Sequence, residues 1–177
     1  MRLARIVPAL ALLSATALPA AAQRFIPQQA LIAMVEVHKA SILRYIDAAP
    51  DSMLGWRPVP GVRTFAEQIE HAAWGDAFIA HSAITGSQQV PSFGDKSVYL
   101  KSKPALKAYA SAAMDHTIEM LRAVPDSAMT VEITQFGKRL PRYRALMELL
   151  DHFPWTLGQV VPYLRVHGVK PPEYTPF

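Results

Sequence analysis

The chain contains no cysteine. That absence excludes a disulfide scaffold, a zinc ribbon, a thiol nucleophile and a CxxC redox pair. It also excludes a lipid anchor attached through a cysteine. Glycine is sparse, at eight of 177 residues, and scattered, so no Gly-rich loop is available to cradle phosphate. Neither a GxSxG elbow nor an H-E-x-x-H motif occurs, which leaves serine hydrolases and zinc proteases unsupported. Basic residues are dispersed, apart from Lys138, Arg139, Arg142 and Arg144, which read as a solvated helix start. A nucleic-acid footprint would need a basic stripe with interleaved aromatics, and there is none. Internal repeats and low-complexity tracts are also missing.

What is present is an apolar chain, 51% hydrophobic and 18% charged, long enough to bury one core. Met1 to Ala22 reads as a signal peptide. Arg2 and Arg5 form the positive start, Ile6 to Leu18 the apolar run, and Ala20-Ala21-Ala22 the small-residue cleavage site. Pro8, Ser14, Thr16 and Pro19 interrupt the run, which falls short of the roughly 20 residues of a spanning helix. The expectation is therefore cleavage near Ala22, a periplasmic or secreted product and no stable membrane anchor. Loss of Arg2 and Arg5 lowers the net charge from +4 to +2, which further weakens any case for nucleic acid.

Residues 23–177 read as one domain of four amphipathic helices. The first runs from about Pro27 to Ala48, with Leu31, Val35, His38, Ile42 and Tyr45 on one face. The second opens at Thr64, which forms a capping box with Glu67, and ends at Gly86. Its stripe is Phe65, Ile69, Ala72, Ile79 and Ala83. The third spans Pro104 to about Val124, and the fourth about Pro141 to His167. Gly86 to Lys103 is a long connection, of the length that joins distant helix ends or serves a function. Thr130 to Phe136 alternates like a strand, but with no partner strand expected it reads as an extended connection. The resulting fold class is all-α, a four-helix bundle.

Six histidines carry the candidate chemistry, at positions 38, 71, 81, 116, 152 and 167. Bundle interiors hold metal sites on facing helices, and neutral imidazole is the commonest ligand. His71 lies one turn after Glu67, on a stripe continued by Trp74 and Phe78. His152 begins a row with Thr156, Gln159 and Tyr163, a polar line beside the apolar stripe of the last helix. Such a line either binds something or is a hydrogen-bonded seam, and spacing allows both. Asp115, His116 and Glu119 have ligand-like spacing but read as a solvated face.

The stretch Trp56–Asp76, WRPVPGVRTFAEQIEHAAWGD, resembles the second-helix region of the DinB/YfiT-like superfamily. The tail Leu149–Tyr174, LLDHFPWTLGQVVPYLRVHGVKPPEY, is similar to that family's last helix. The resemblance implies a mirror variant of the up-and-down bundle, often a homodimer. It also implies a divalent metal of the zinc, nickel, iron or manganese class, held by three histidines. Carried over, His71 and His152 match two of these ligands. The third position falls on Thr156, a departure from the pattern. Pro154 and Pro162 add helix-breaking residues beside it. A third ligand could come from His38 on the first helix, or from Glu67, which could instead orient His71.

Two functions follow as expectations. One is a metal-dependent, transferase-type activity on a small molecule, with Gln159 and Tyr163 lining the pocket. The other is a bundle without metal that binds a small apolar ligand or a protein partner through Trp74, Phe78 and Trp155.

Overall fold

A computed structural model describes residues 25–174; the leader and its cleavage site lie outside the described residues. Helix α1 (Gln28–Ala48) starts after Pro27. The Gln28 side-chain amide donates to the carbonyls of Leu121, Arg122 and Val124 at 2.8, 3.1 and 2.7 Å. This ties the start of α1 to the end of α4 (Lys103–Arg122). At the opposite end, Lys103 Nζ donates to the carbonyls of Asp47 and Ala49. Helices α1 and α4 are therefore antiparallel.

Helix α2 (Phe65–Thr85) begins with the capping box expected from Thr64 and Glu67, and Gly86 closes it at φ 75°. That left-handed conformation favours glycine. α2 packs on α4 in parallel: His81 meets His116 near one end, and Glu70 meets Tyr99, itself stacked on Tyr109, near the other. A parallel pair needs a connection as long as the helices. The Gly86–Ser102 segment supplies it and includes the short helix α3 (Lys96–Tyr99).

The fourth helix of the bundle is broken into α5 (Arg142–Leu146), α6 (Glu148–Gly158) and α7 (Val160–Val166). Pro154 sits inside α6 without ending it. The interruption at Gln159 precedes Pro162, which has no N–H for the Gly158 carbonyl and is tolerated in the first turn of a new helix. α6 runs antiparallel to α2 and parallel to α1.

One expectation needs correction. The Thr130–Phe136 segment is not an unpaired connection: β1 (Glu132–Gln135) pairs antiparallel with β2 (Lys138–Pro141), with Gln135 opposite Lys138. Phe136 and Gly137, at φ 50° and 73°, make the tight two-residue turn. The partner strand was the basic stretch read as part of a helix start. Gln135 Nε2 donates to Ser82 Oγ at 2.7 Å, which pins the hairpin to α2.

The predicted apolar faces converge on one core, with Phe65, Ile42, Ile46, Met114, Leu121 and Leu146 fully buried. Among the described residues, no helix is long and apolar enough to cross a membrane.

Candidate functional site

The helix pair α2/α6 carries the site. Asp76 lies on the buried stripe of α2 and is fully sequestered from solvent. A carboxylate there requires partners, because an unpaired buried charge is costly. It has two. His152 Nδ1 is 3.0 Å from Oδ1, and His38 Nδ1 is 3.1 Å from Oδ2. An ionised carboxylate only accepts, so both imidazoles carry their proton on Nδ1 toward Asp76. This leaves each Nε2 free. The His38 ring is fixed further by stacking on Phe153, with centroids 4.1 Å apart.

His152 lies against the backbone of α2 at Gly75. A Cβ at that position would overlap the imidazole. Glycine inside a helix is unfavourable by about 1 kcal/mol relative to alanine, and here it gives the ring room to reach Asp76.

His71 stands one turn before Gly75 and meets His152 edge-on, with ring centroids 5.4 Å apart. Neither nitrogen of His71 has a protein partner, and no buried side-chain nitrogen or oxygen is left unpaired among the described residues. The free nitrogens of His71 and His152 therefore reach solvent-accessible space. Burial lowers the His71 pKa, with Arg63 and His152 adding to the effect and Glu70 opposing it. The ring is held in its neutral form, the form that ligates a metal or accepts a proton.

Beside His71 is a cleft of about 580 Å³ lined by Arg63, Glu67, Glu70, Trp74 and Lys96. Glu70 accepts from Lys96 at 2.8 Å and from Tyr99 at 2.7 Å, so it is already engaged. No carboxylate pairs with Arg63 among the described residues. A second hollow joins at Arg63 and is bordered by Gln68, Gln159 and Tyr163. The Tyr163 hydroxyl donates to the Arg63 carbonyl at 2.8 Å, and burial raises its pKa.

The structure gives each of the remaining candidate residues its own partners. Thr156 is buried, and its carbonyl accepts from Gln68 Nε2 at 3.1 Å. Glu67 caps α2 by accepting from the Thr64 N–H at 2.7 Å, the main reason its carboxyl stays below the usual range, and Arg57 at 3.7 Å adds to the effect. His38 joins the network through the far oxygen of Asp76. Trp74 stacks on Phe78 at 4.9 Å, at the edge of the cleft. Trp155 is 76% exposed. His116 is half-buried and bonds to His81 at 3.1 Å, whereas Asp115 pairs with Lys39. The reading of a solvated face thus holds for Asp115 and fails for His116.

Sequence reasoning missed Asp76 and Gly75. A signal existed: Asp76 interrupts an apolar stripe, four residues after Ala72 and three before Ile79, where a lone carboxylate needs a buried cation or donor.

A profile of the DinB superfamily matches residues 34–157, a span that holds α2, α4, all but the last residue of α6 and all the histidines of the site. The chain belongs to the DinB superfamily. A DinB-like protein from Bacillus cereus ATCC 10987, known from a crystal structure, superposes with a TM-score of 0.66 at 19% identity. The match covers 83% of this chain and 97% of that one, and at this identity it shows the fold alone. No curated protein matches.

The metal implied by the DinB resemblance can be tested against the donors present. Two imidazoles with free nitrogens, one oriented by a carboxylate, suit two coordination positions. No group of three His, Cys, Asp or Glu side chains is arranged to hold a metal ion among the described residues. Zinc is normally held by at least three protein ligands. The donors therefore fit a partly open, two-imidazole site and not a closed three-ligand centre.

Proposed function

We propose that His71 and His152 form an exchangeable divalent-metal site of the zinc, nickel, iron or manganese class. A donor atom from a small molecule completes it, and the protein acts on that molecule in a transferase-type reaction. The observation that carries this reading is the Asp76–His152 hydrogen bond, which fixes the tautomer that leaves Nε2 free beside His71. A divalent ion there would serve as a Lewis acid toward the molecule's donor atom. The chain's own residues bind and orient. Arg63 offers an unpaired cation for an anionic group, and Trp74 offers an aromatic face. Membership of the DinB superfamily supports the metal reading.

Metal analysis and thermal melts with added metal, with chelator, and with a His152→Ala control test it. The proposal requires a rise in Tm with excess divalent metal that chelator reverses and His152→Ala lacks. A melt insensitive to metal would favour the second reading, a bundle without metal that binds a small molecule or partner. The specific observation behind that second reading is that Glu67 is engaged as the cap of α2 and that no group of three side chains suited to hold a metal ion stands among the described residues.

Export is part of the proposal and rests on the Met1–Ala22 segment. N-terminal sequencing of the cell-exported product should begin at Gln23.

A further inference from the structure

Helices α1 and α6 run parallel and meet through His38 and Phe153, but they do not close against each other along their length. Between them lies a hollow of about 520 Å³. Its walls are mostly apolar, formed by Met34, Val37, Leu150, Phe153, Leu157 and Val161. Two features of α6 keep it open. Gly158 contributes no side chain, and a Cβ there would meet nothing within 4 Å. Pro154 has no N–H for the Leu150 carbonyl, so both of these wall residues lack the regular helix bond between them.

The polar side chains of this groove are few: His38 in the wall, and Ser41, Arg44, Tyr45, Glu173 and Tyr174 toward the rim. Arg44 stands at one end, donating only to Ser41 Oγ at 3.2 Å. Arg165 is near enough to Tyr45, a groove residue, for both arginines to act on its hydroxyl. Neither arginine pairs with a carboxylate among the described residues. Glu173, at the same rim, is paired with Lys170. In the wall, His38 has a side chain only 10% exposed, and its Nδ1 is committed to Asp76. Its Nε2 has no protein partner. Because no buried side-chain nitrogen is orphaned, that atom reaches accessible space.

A concave, mostly apolar hollow with a few polar groups is the usual form of a small-molecule site. We propose that the α1/α6 groove binds a single-chain carboxylate amphiphile of medium length, with its alkyl chain along the apolar walls and its carboxylate at Arg44. Arg44 is the rim charge without a carboxylate partner among the described residues and favours an anionic headgroup, and the apolar walls favour an alkyl chain. This site is separate from the His71–His152 cleft and does not depend on a metal.

Calorimetric titration of the purified protein with decanoate, below its micellar concentration, tests the proposal. Decyltrimethylammonium supplies the opposite headgroup on the same chain. Saturable 1:1 decanoate binding is expected, with the ammonium compound at least tenfold weaker. Gly158→Trp should abolish binding without lowering Tm, since the added side chain enters open space. Arg44→Glu, an exposed change that leaves the core intact, should weaken decanoate about tenfold or more. His71→Ala should bind decanoate as the wild type does, which separates this result from the fate of the metal reading. The proposal is overturned by an absence of saturable decanoate binding, by equal affinity for the two headgroups, or by unchanged binding in either groove variant.

Discussion

Asp76 Oδ1 accepts a hydrogen bond from His152 Nδ1 at 3.0 Å, while its second oxygen accepts from His38 at 3.1 Å. One fully buried carboxylate thus sets the tautomer of two imidazoles on different helices. In Asp76→Asn the amide can accept from only one of them. Stability should fall by about 1–3 kcal/mol, as for other buried hydrogen-bond partners. Metal uptake at His152 should weaken about 10–100-fold. Denaturant melts and calorimetric metal titration measure the two effects separately.

Gly75→Ala sets two effects against each other. Alanine is favoured in a helix interior by about 1 kcal/mol, but its Cβ would overlap the His152 ring. Overpacking of this kind typically costs about 1–3 kcal/mol. The variant should therefore be no more stable than the wild type, and usually less so. Its His152 resonances should shift, since the ring must leave Asp76. A clear gain in Tm would show that the ring is free to move.

Much of the bundle could be read from the sequence because burial follows helical spacing. Leu31, Val35, His38 and Ile42 are buried together as their period requires, and Thr64 and Glu67 form the expected cap. The hairpin was obscured because β2 is the polar stretch Lys-Arg-Leu-Pro, and its positive-φ turn includes phenylalanine, a residue seldom found there. The site was half legible. His71 and His152 stood out by type, but the partner of His152 comes from 76 positions earlier in the chain, a pairing that local spacing does not encode. His81 and His116 were likewise separated in sequence and joined only by the packing of α2 on α4.

That second histidine pair gives a pH prediction. Burial lowers the His116 pKa, and neighbouring His81 lowers it further. The unfolded chain then takes up a proton near pH 6.5, where the folded form resists it. Stability from this group is complete above that pH and declines as the pH falls through it toward the depressed folded value. His71 shifts in the same direction for the same leading reason. Melts between pH 7.5 and 5 should show a falling Tm, with a shallower slope in His116→Gln.

Glu67 acts in another window. Its pKa is lowered chiefly by the Thr64 backbone N–H, so its contribution is present above the ordinary glutamate range and is lost as the pH drops through the folded value. Glu67→Ala should remove part of the helix cap at a cost of roughly 1 kcal/mol. Metal uptake should be unaffected, because Glu67 caps the helix and does not ligate. A parallel loss of metal affinity would reassign it as a ligand.

In the proposed metal site His71 and His152 supply two donors, and the family resemblance puts Thr156 at the position of a third. Zinc titration by calorimetry of the wild type, Thr156→His and the His71→Ala/His152→Ala double variant tests it most directly. Weak binding is expected in the wild type, binding at least a hundredfold tighter in Thr156→His, and none at this site in the double variant. Tight wild-type binding that survives loss of both histidines, or no gain from Thr156→His, would contradict it.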